Sequence, residues 1–110
     1  NISSGSFPYG TNEFTEAGLA MADCETVSVP RVKSAPAALE CRLWQVIELP
    51  TPEDGAASKI VLGTVTGIHI ADEVIVNGKI DVTIYQPLAR LGYMDYSRIT
   101  TLFEMERPVV

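Results

Sequence analysis

Two long segments with alternating apolar and polar residues, 37–49 and 59–71, constrain the fold of this 110-residue chain more than any other feature. An apolar side chain at every second position is typical of an extended strand with one buried face. In the first segment that face consists of Leu39, Cys41, Leu43, Ile47 and Leu49. Residues 51–55, with the sequence Thr-Pro-Glu-Asp-Gly, interrupt the pattern, and the loop runs to Ser58. The two segments are therefore predicted to form an antiparallel pair.

The second segment carries apolar residues on both faces, which predicts a strand in the interior of a sheet. One face has Ile60, Leu62, Ile68 and Ile70, and the other has Val61, Val65 and His69, with glycines at 63 and 67. A glycine within a strand marks a bend, a bulge or a close approach by another group. A ligand or a backbone segment therefore has room to come near this strand.

The dipeptide Asn77-Gly78 is a strong hairpin signal, because both positions of its two-residue turn need a positive φ. It lies between strand-like residues 74–76 and 79–82, and strand character is predicted to continue to Tyr85. Further on, Asp95 is predicted to cap a short final helix. The apolar face of that helix would consist of Tyr96, Ile99, Leu102 and Phe103.

The first 36 residues are rich in glycine, proline and small polar residues, which predicts a largely irregular cover. One short helix is expected there, capped by Thr11 or Asn12 and ended by Gly18. The whole pattern predicts a mainly β fold, an antiparallel barrel or part of one with short peripheral helices. Closure of the barrel is the least supported part of this prediction. A barrel pairs its last strand with its first, and the first 36 residues do not obviously supply the missing strands.

Composition narrows the class of protein. Eight basic and 14 acidic side chains give a net charge of −6, which argues against a general nucleic-acid partner. No apolar run approaches the roughly 20 residues of a membrane span, so no membrane partner is expected. A chain of this size is expected to expose about 5,900 Å² when folded, which leaves enough buried surface for one hydrophobic core. The chain does not begin with methionine, so we expect a processed, trimmed or partial product.

The two cysteines, Cys24 and Cys41, have no metal-ligand spacing and are too few for a disulfide framework. We expect two reduced thiols in a cytoplasmic protein, with a single bridge as the less favoured alternative. No metal site is predicted.

His69 is the only histidine of the chain. The favoured interpretation is a core histidine satisfied by a neighbouring carbonyl, and the alternative is a ligand contact. Most carboxylates, among them Glu53, Asp54, Asp72 and Glu73, fall in loops and are expected to be solvated. No side chain is predicted to act as a catalytic acid, base or nucleophile.

Residues 89–98 combine two arginines, two tyrosines and a glycine. An arginine binds a phosphate or carboxylate with two parallel hydrogen bonds, and a tyrosine offers an aromatic surface to a planar ring. This chemistry suits a flavin or nucleotide contact. It suits equally a helix start that is pinned by an ion pair between Asp95 and Arg98, and the two interpretations stay open.

An ordered set of short motifs along most of the chain resembles the flavin reductase-like family. The motifs are Asn12-Glu13-Phe14, Ala17-Gly18-Leu19, Val29-Pro30-Arg31-Val32, Pro36-Ala37-Ala38-Leu39-Glu40-Cys41-Arg42-Leu43, Gly63-Thr64-Val65, Gly67-Ile68-His69-Ile70-Ala71-Asp72, Gly78-Lys79-Ile80-Asp81 and Pro87-Leu88-Ala89-Arg90-Leu91-Gly92, followed by Tyr96, Arg98 and Ile99. The ordered set is fairly specific, although no single motif is.

The resemblance implies an FMN-binding split β-barrel that forms homodimers. Residues 1–110 would be a single domain, the C-terminal portion of such a barrel, because the family's leading strands are absent. The chain would then pair either with a second copy or with the missing N-terminal half.

Carried over residue by residue, the resemblance assigns cofactor contacts to the late motif and to the strand histidine: His69, Arg90, Leu91, Gly92 and Tyr96. In this family hydride passes from NAD(P)H to the flavin, so the chemistry belongs to the cofactor. Tyr93 is a departure, because many relatives have a second glycine there. A side chain at this position is expected to fill space near the flavin or to alter access to it.

Three functions therefore stay open at the level of sequence. The first is an FMN-dependent oxidoreductase that takes hydride from NAD(P)H. The second is a non-catalytic FMN-binding or electron-transfer protein on the same barrel. The third is a half-barrel that only dimerises.

Overall fold

The structure is a computed structural model that describes residues 1–50, 55 and 57–109. The chain divides into two compact units, residues 1–69 and 70–110, which are described separately. Of the break predicted at residues 51–55, residues 51–54 lie outside the described residues. None of the helices in the described part has the length and apolar character that a membrane crossing requires.

The first unit begins with short local elements. A 3-10 turn at Ile2–Ser4 precedes α1 (Glu13–Glu16), and the short strands β1 (Met21–Ala22) and β2 (Arg31–Val32) pair antiparallel. The Asn12 side chain accepts the Phe14 N–H at 3.0 Å. The predicted short helix, with Asn12 rather than Thr11 as its cap, is confirmed.

Two long strands, β3 (Ala37–Glu48) and β4 (Lys59–Ile70), form the main sheet of this unit. The Leu49 N–H donates to the Ser58 carbonyl at 2.9 Å, so the end of β3 meets the start of β4. Near the other end, Glu40 lies against Gly67. The predicted antiparallel pair is therefore confirmed, because residue numbers rise along one strand as they fall along the other.

The second unit starts with a 3-10 turn at Asp72–Val74 and the hairpin of β5 (Ile75–Val76) and β6 (Lys79–Ile80). Asn77 and Gly78 have φ of 51° and 75°, so the predicted hairpin turn is confirmed. The Asp81 N–H donates to the Val74 carbonyl at 2.8 Å and extends the closure by one residue on each side.

The prediction that strand character continues to Tyr85 is wrong, because residues Val82–Tyr85 form the helical turn α2. The Asp81 carboxylate accepts the N–H and the hydroxyl of Thr83 at 2.8 and 2.6 Å, which caps the first turn. Gln86, in the left-handed conformation, ends it. Local capping thus overrides the strand preference of Val82, Thr83 and Ile84.

The final helix predicted from Asp95 is also wrong. Tyr96–Arg98 is strand β8, paired antiparallel with β7 (Leu88–Arg90), with Arg90 opposite Tyr96. The described residues after Arg98 contain no regular element. The helical spacing of Tyr96 and Ile99 was misleading, since Tyr96 pairs with Arg90 in a strand and Ile99 lies beyond the end of β8.

The expected hydrophobic core is absent from the described residues. The accessible surface is 9727 Å², far above the roughly 5,900 Å² expected of a folded chain of this size. Val74 is the one buried apolar residue in the described part, whereas Leu43 and Trp44 on β3 are 68% and 69% exposed. The fold is mainly antiparallel β with short helices, as predicted, but many apolar side chains on the described strands remain exposed.

Candidate functional site

The first unit contains a buried carboxylate, Glu40 on β3, whose residue is only 2% exposed. Its Oε1 accepts the Glu25 N–H at 2.9 Å, and its Oε2 accepts the Thr26 N–H and hydroxyl, both at 2.6 Å. The His69 Nε2 on β4 also contacts Oε1. We call these groups the Glu40 cluster: Glu25, Thr26, Glu40 and His69. The cluster joins the segment before β2 to both long strands.

Gly67 provides the space that the Glu40 side chain occupies. A Cβ on Gly67 would lie 3.1 Å from the Glu40 Cδ and 3.2 Å from its Oε2. Of the three alternatives given for the glycines of β4, the structure shows a close approach at Gly67. The approaching group is a side chain of the neighbouring strand, rather than the ligand or backbone segment that was expected.

The donors around Glu40 hold the pKa of its carboxyl far below the ordinary value, mainly through the hydrogen bonds from Thr26 and His69. The carboxylate is therefore ionised at neutral pH and only accepts hydrogen bonds. Cys24 lies close by, and its partial burial together with Glu40 raises the pKa of the thiol. Both cysteines are free, as expected, and Cys24 is held in its unreactive protonated form.

His69 is satisfied by a protein group, as the favoured interpretation held, but its partner is the Glu40 carboxylate rather than a backbone carbonyl. The side chain of His69 stays 24% exposed. Sequence reasoning missed Glu40, Thr26 and their roles. The available signal was the glycine opposite Glu40, which allows a side chain to lie across the strand.

The second unit brings four of the expected cofactor residues into one hairpin turn between β7 and β8. The Arg90 guanidinium donates to the Tyr96 hydroxyl and to the Tyr93 carbonyl, both at 2.6 Å. The Arg90 Cζ lies 5.0 Å from the centre of the Tyr96 ring. The Leu91 N–H donates to the Asp95 carbonyl at 2.9 Å, and the Asp95 N–H donates to the Gly92 carbonyl at 3.1 Å.

The turn is closed by these bonds rather than by a charged pair. No ion pair joins Asp95 and Arg98 within the described part of the chain, and no helix begins there. The interpretation of a helix start pinned by that pair is therefore wrong. His69 belongs to the other unit, so it is not part of this turn.

Tyr93 lies at the tip of the turn with φ of 55° and a residue exposure of 95%. A left-handed backbone favours glycine, which explains why a glycine suits this position better than tyrosine. Gly92 has a different environment, since a Cβ there would meet nothing within 4 Å. The surface beside Gly92 is open, and Tyr93 projects next to it.

The groups of this turn suit a flavin in part. Arg90 keeps donors beyond the two it uses within the turn, because a guanidinium carries five N–H groups. The Tyr96 ring is about half exposed and offers a flat surface. The Leu91 N–H is already used, so Arg90 and Tyr96 are the members of the set best placed to contact an anionic or planar ligand.

Comparison with known proteins gives relatives without assigned function. No family model matches the chain. An uncharacterized protein of Halalkalibacterium halodurans is 30% identical over 110 residues, which span all of this chain and 53% of the relative. An uncharacterized protein of Deinococcus radiodurans is 30% identical over 111 residues, which span 97% of this chain and 46% of the relative. The chain thus spans about half the length of the curated relatives it matches.

Solved structures give the fold. Nitrilotriacetate monooxygenase component B from Bacillus cereus matches with a TM-score of 0.85 and 30% identity, over 94% of this chain and 52% of the other. The 2-nitrobenzoate 2-nitroreductase of Pseudomonas fluorescens matches with a TM-score of 0.79 and 26% identity, over 97% and 51%. A putative flavin reductase with a split barrel domain from Shewanella frigidimarina has a TM-score of 0.75 at 19% identity, over 96% and 52%, which supports the fold alone.

Proposed function

We propose that this chain, which has the split-barrel fold of flavin reductase-like proteins, is about half of such a domain and part of an FMN-binding oxidoreductase. The reaction we propose is hydride transfer from NAD(P)H to the flavin. The observation that carries the proposal is the match to the monooxygenase component, at 30% identity over 94% of this chain. The chain covers only 52% of that protein, so the activity is proposed for the full-length parent.

FMN, when bound, supplies the hydride-accepting ring, and the protein contributes binding and orientation. In our proposal the free N–H groups of Arg90 bind the polar or anionic groups of the cofactor. The Tyr93 and Tyr96 contacts hold the guanidinium in one orientation, which lowers the entropy lost on binding. The Tyr96 ring provides a flat surface beside the cofactor, and Leu91 and Gly92 complete the contacts proposed for this turn. His69, in the first unit, is proposed by itself as a cofactor contact. No side chain acts as a nucleophile.

We propose that the remaining half of the domain covers the apolar surfaces of β3 and β4, and that the completed protein is a homodimer. A two-stranded sheet is at best marginally stable by itself in water. Exposed apolar side chains on these strands include Leu39, Leu43, Trp44, Val61 and Ile68, each above 60% exposed. Exposed apolar side chains on these strands are what an interface with another part of the protein would cover. In this proposal, residues 1–110 are the C-terminal part of the domain. We place the protein in the cytoplasm, in keeping with its two free thiols.

Steady-state oxidation of NAD(P)H tests the reaction. The full-length parent, supplied with FMN, is expected to bleach the nicotinamide absorbance in proportion to enzyme concentration. Flavin binding without any bleaching would favour the electron-transfer alternative. A stable oligomer that never binds flavin would favour the third hypothesis, a half-barrel that only dimerises. The exposed apolar side chains on β3 and β4 are the observation that supports this hypothesis.

A further inference from the structure

The Glu40–His69 contact defines which ring nitrogen of His69 is available to a ligand. The Glu40 Oε1 already accepts the Glu25 N–H at 2.9 Å, and as part of a carboxylate it has no proton to donate. The His69 Nε2 that contacts the same oxygen must therefore carry the hydrogen. In the neutral ring this leaves Nδ1 as a hydrogen-bond acceptor.

The other ring nitrogen has no such partner. Within the described residues, no hydrogen bond reaches the His69 Nδ1, although the side chain is 24% exposed. The opposite side of the ring is held by a carboxylate that is itself fixed by three donors from Glu25 and Thr26. The imidazole is thus anchored at one nitrogen and open at the other.

We propose that Glu40 is a positioning residue that fixes the Nε2–H form of His69 and thereby presents Nδ1 to the polar edge of the bound flavin. This inference rests on the proposed function for its ligand. The pyrimidine edge of a flavin carries one N–H donor between two carbonyls, so an acceptor with a fixed direction selects that edge over the apolar rim. Glu40 acts through His69 and does not touch the cofactor.

The substitution His69→Gln separates the two nitrogens, because the glutamine amide places an N–H donor near the position of Nε2 and nothing near Nδ1. In the full-length parent we expect this variant to keep its melting temperature, since Glu40 stays paired. Its dissociation constant for FMN, measured by quenching of flavin fluorescence, is expected to rise about fivefold, the effect of one lost hydrogen bond. An unchanged dissociation constant would overturn the proposal.

The variants Glu40→Gln and Thr26→Val distinguish two roles of Glu40: positioning the His69 ring and anchoring the segment that contains Thr26. Both substitutions disturb the hydrogen bonds between Thr26 and the Glu40 side chain. Thr26→Val, however, removes only a hydroxyl and leaves the contact between Glu40 and His69 in place. We expect Glu40→Gln to weaken FMN binding about as much as His69→Gln, and to have no further effect in the His69→Gln background. Equal weakening by Thr26→Val, or full additivity of the two substitutions, would assign Glu40 a purely structural role.

The protonation form of the His69 ring can be measured by NMR without any flavin present. In the full-length parent with ¹⁵N-labelled histidine, the signals of His69 are those missing from the His69→Gln spectrum. The neutral ring is expected to show the Nε2–H form in the wild type and a mixture of tautomers in Glu40→Gln. A wild-type ring with Nδ1–H would overturn the positioning claim whether or not FMN binds. A parent with the Nε2–H form that binds no FMN would instead overturn the proposed function and the ligand assigned here.

Discussion

The side chain of Glu40 fills the space above Gly67, where a Cβ would lie 3.1 Å from the Glu40 Cδ. The two residues face each other across β3 and β4, and the absence of a side chain at one lets the carboxylate of the other lie flat against the sheet. From there it reaches His69, Glu25 and Thr26.

Gly67→Ala is expected to destabilise the protein by about 1–3 kcal/mol, because the added methyl group must displace the anchored carboxylate. The measurement is the free energy of unfolding in urea, made on the full-length parent. Gly92→Ala is the matched control, since a Cβ there meets nothing within 4 Å and Gly92 does not have a positive φ. Equal losses in the two variants would contradict the contact between Gly67 and Glu40.

The pH dependence of stability should show the Glu40 cluster directly. The folded state lowers the pKa of Glu40 from its ordinary value of 4.5, so the unfolded state binds the proton more readily. The stabilisation is therefore fully present above pH 4.5 and is lost as the pH falls below it. Urea unfolding at pH 7 and at pH 3.5 should show a smaller loss of stability in Glu40→Gln than in the wild type. Parallel losses would contradict an ionised Glu40 in the folded protein.

Asp81 contributes in the same direction, because hydrogen bonds from Thr83 lower the pKa of its carboxyl. The wild type and Glu40→Gln share this contribution, so the difference between them isolates Glu40.

Tyr93→Gly is expected to stabilise the hairpin turn. A left-handed conformation costs a residue with a Cβ roughly 1–2 kcal/mol, and the greater freedom of glycine in the unfolded chain offsets about half of that gain. Met94 is the matched control, as it is 89% exposed and does not have a positive φ. Met94→Gly should therefore lower the free energy of unfolding while Tyr93→Gly raises it. The same sign for both variants would contradict strain at Tyr93.

The sequence predicted features that depend on residues close together in the chain, and it missed one that depends on residues far apart in the chain. The Asn77-Gly78 hairpin and the cap at Asn12 depend on adjacent residues, and both were found as predicted. The Glu40 cluster joins residues 14 to 29 positions apart, which no local spacing reveals. The turn at residues 90–96 was identified as a candidate site, yet its strand pairing was mistaken for a helix because short apolar spacings suit both structures.

Arg90→Ala in the full-length parent is expected to weaken FMN binding about tenfold, because it removes a charged donor held in place by Tyr93 and Tyr96. Arg90→Lys keeps the charge and loses the planar fork, so an intermediate loss is expected. Lys79→Ala is the control, since it removes an equal charge from the same unit. Fluorescence titration gives the three dissociation constants, and equal values for Arg90→Ala and Lys79→Ala would reduce the role of Arg90 to general charge.

The central claim is that this chain contributes to a flavin site, and equilibrium dialysis of FMN against the full-length parent tests it most directly. The account predicts saturable binding of FMN, with a stoichiometry near one per chain and weaker binding in Arg90→Ala. An intact, folded parent that binds no FMN at any concentration below its own aggregation limit would contradict the account.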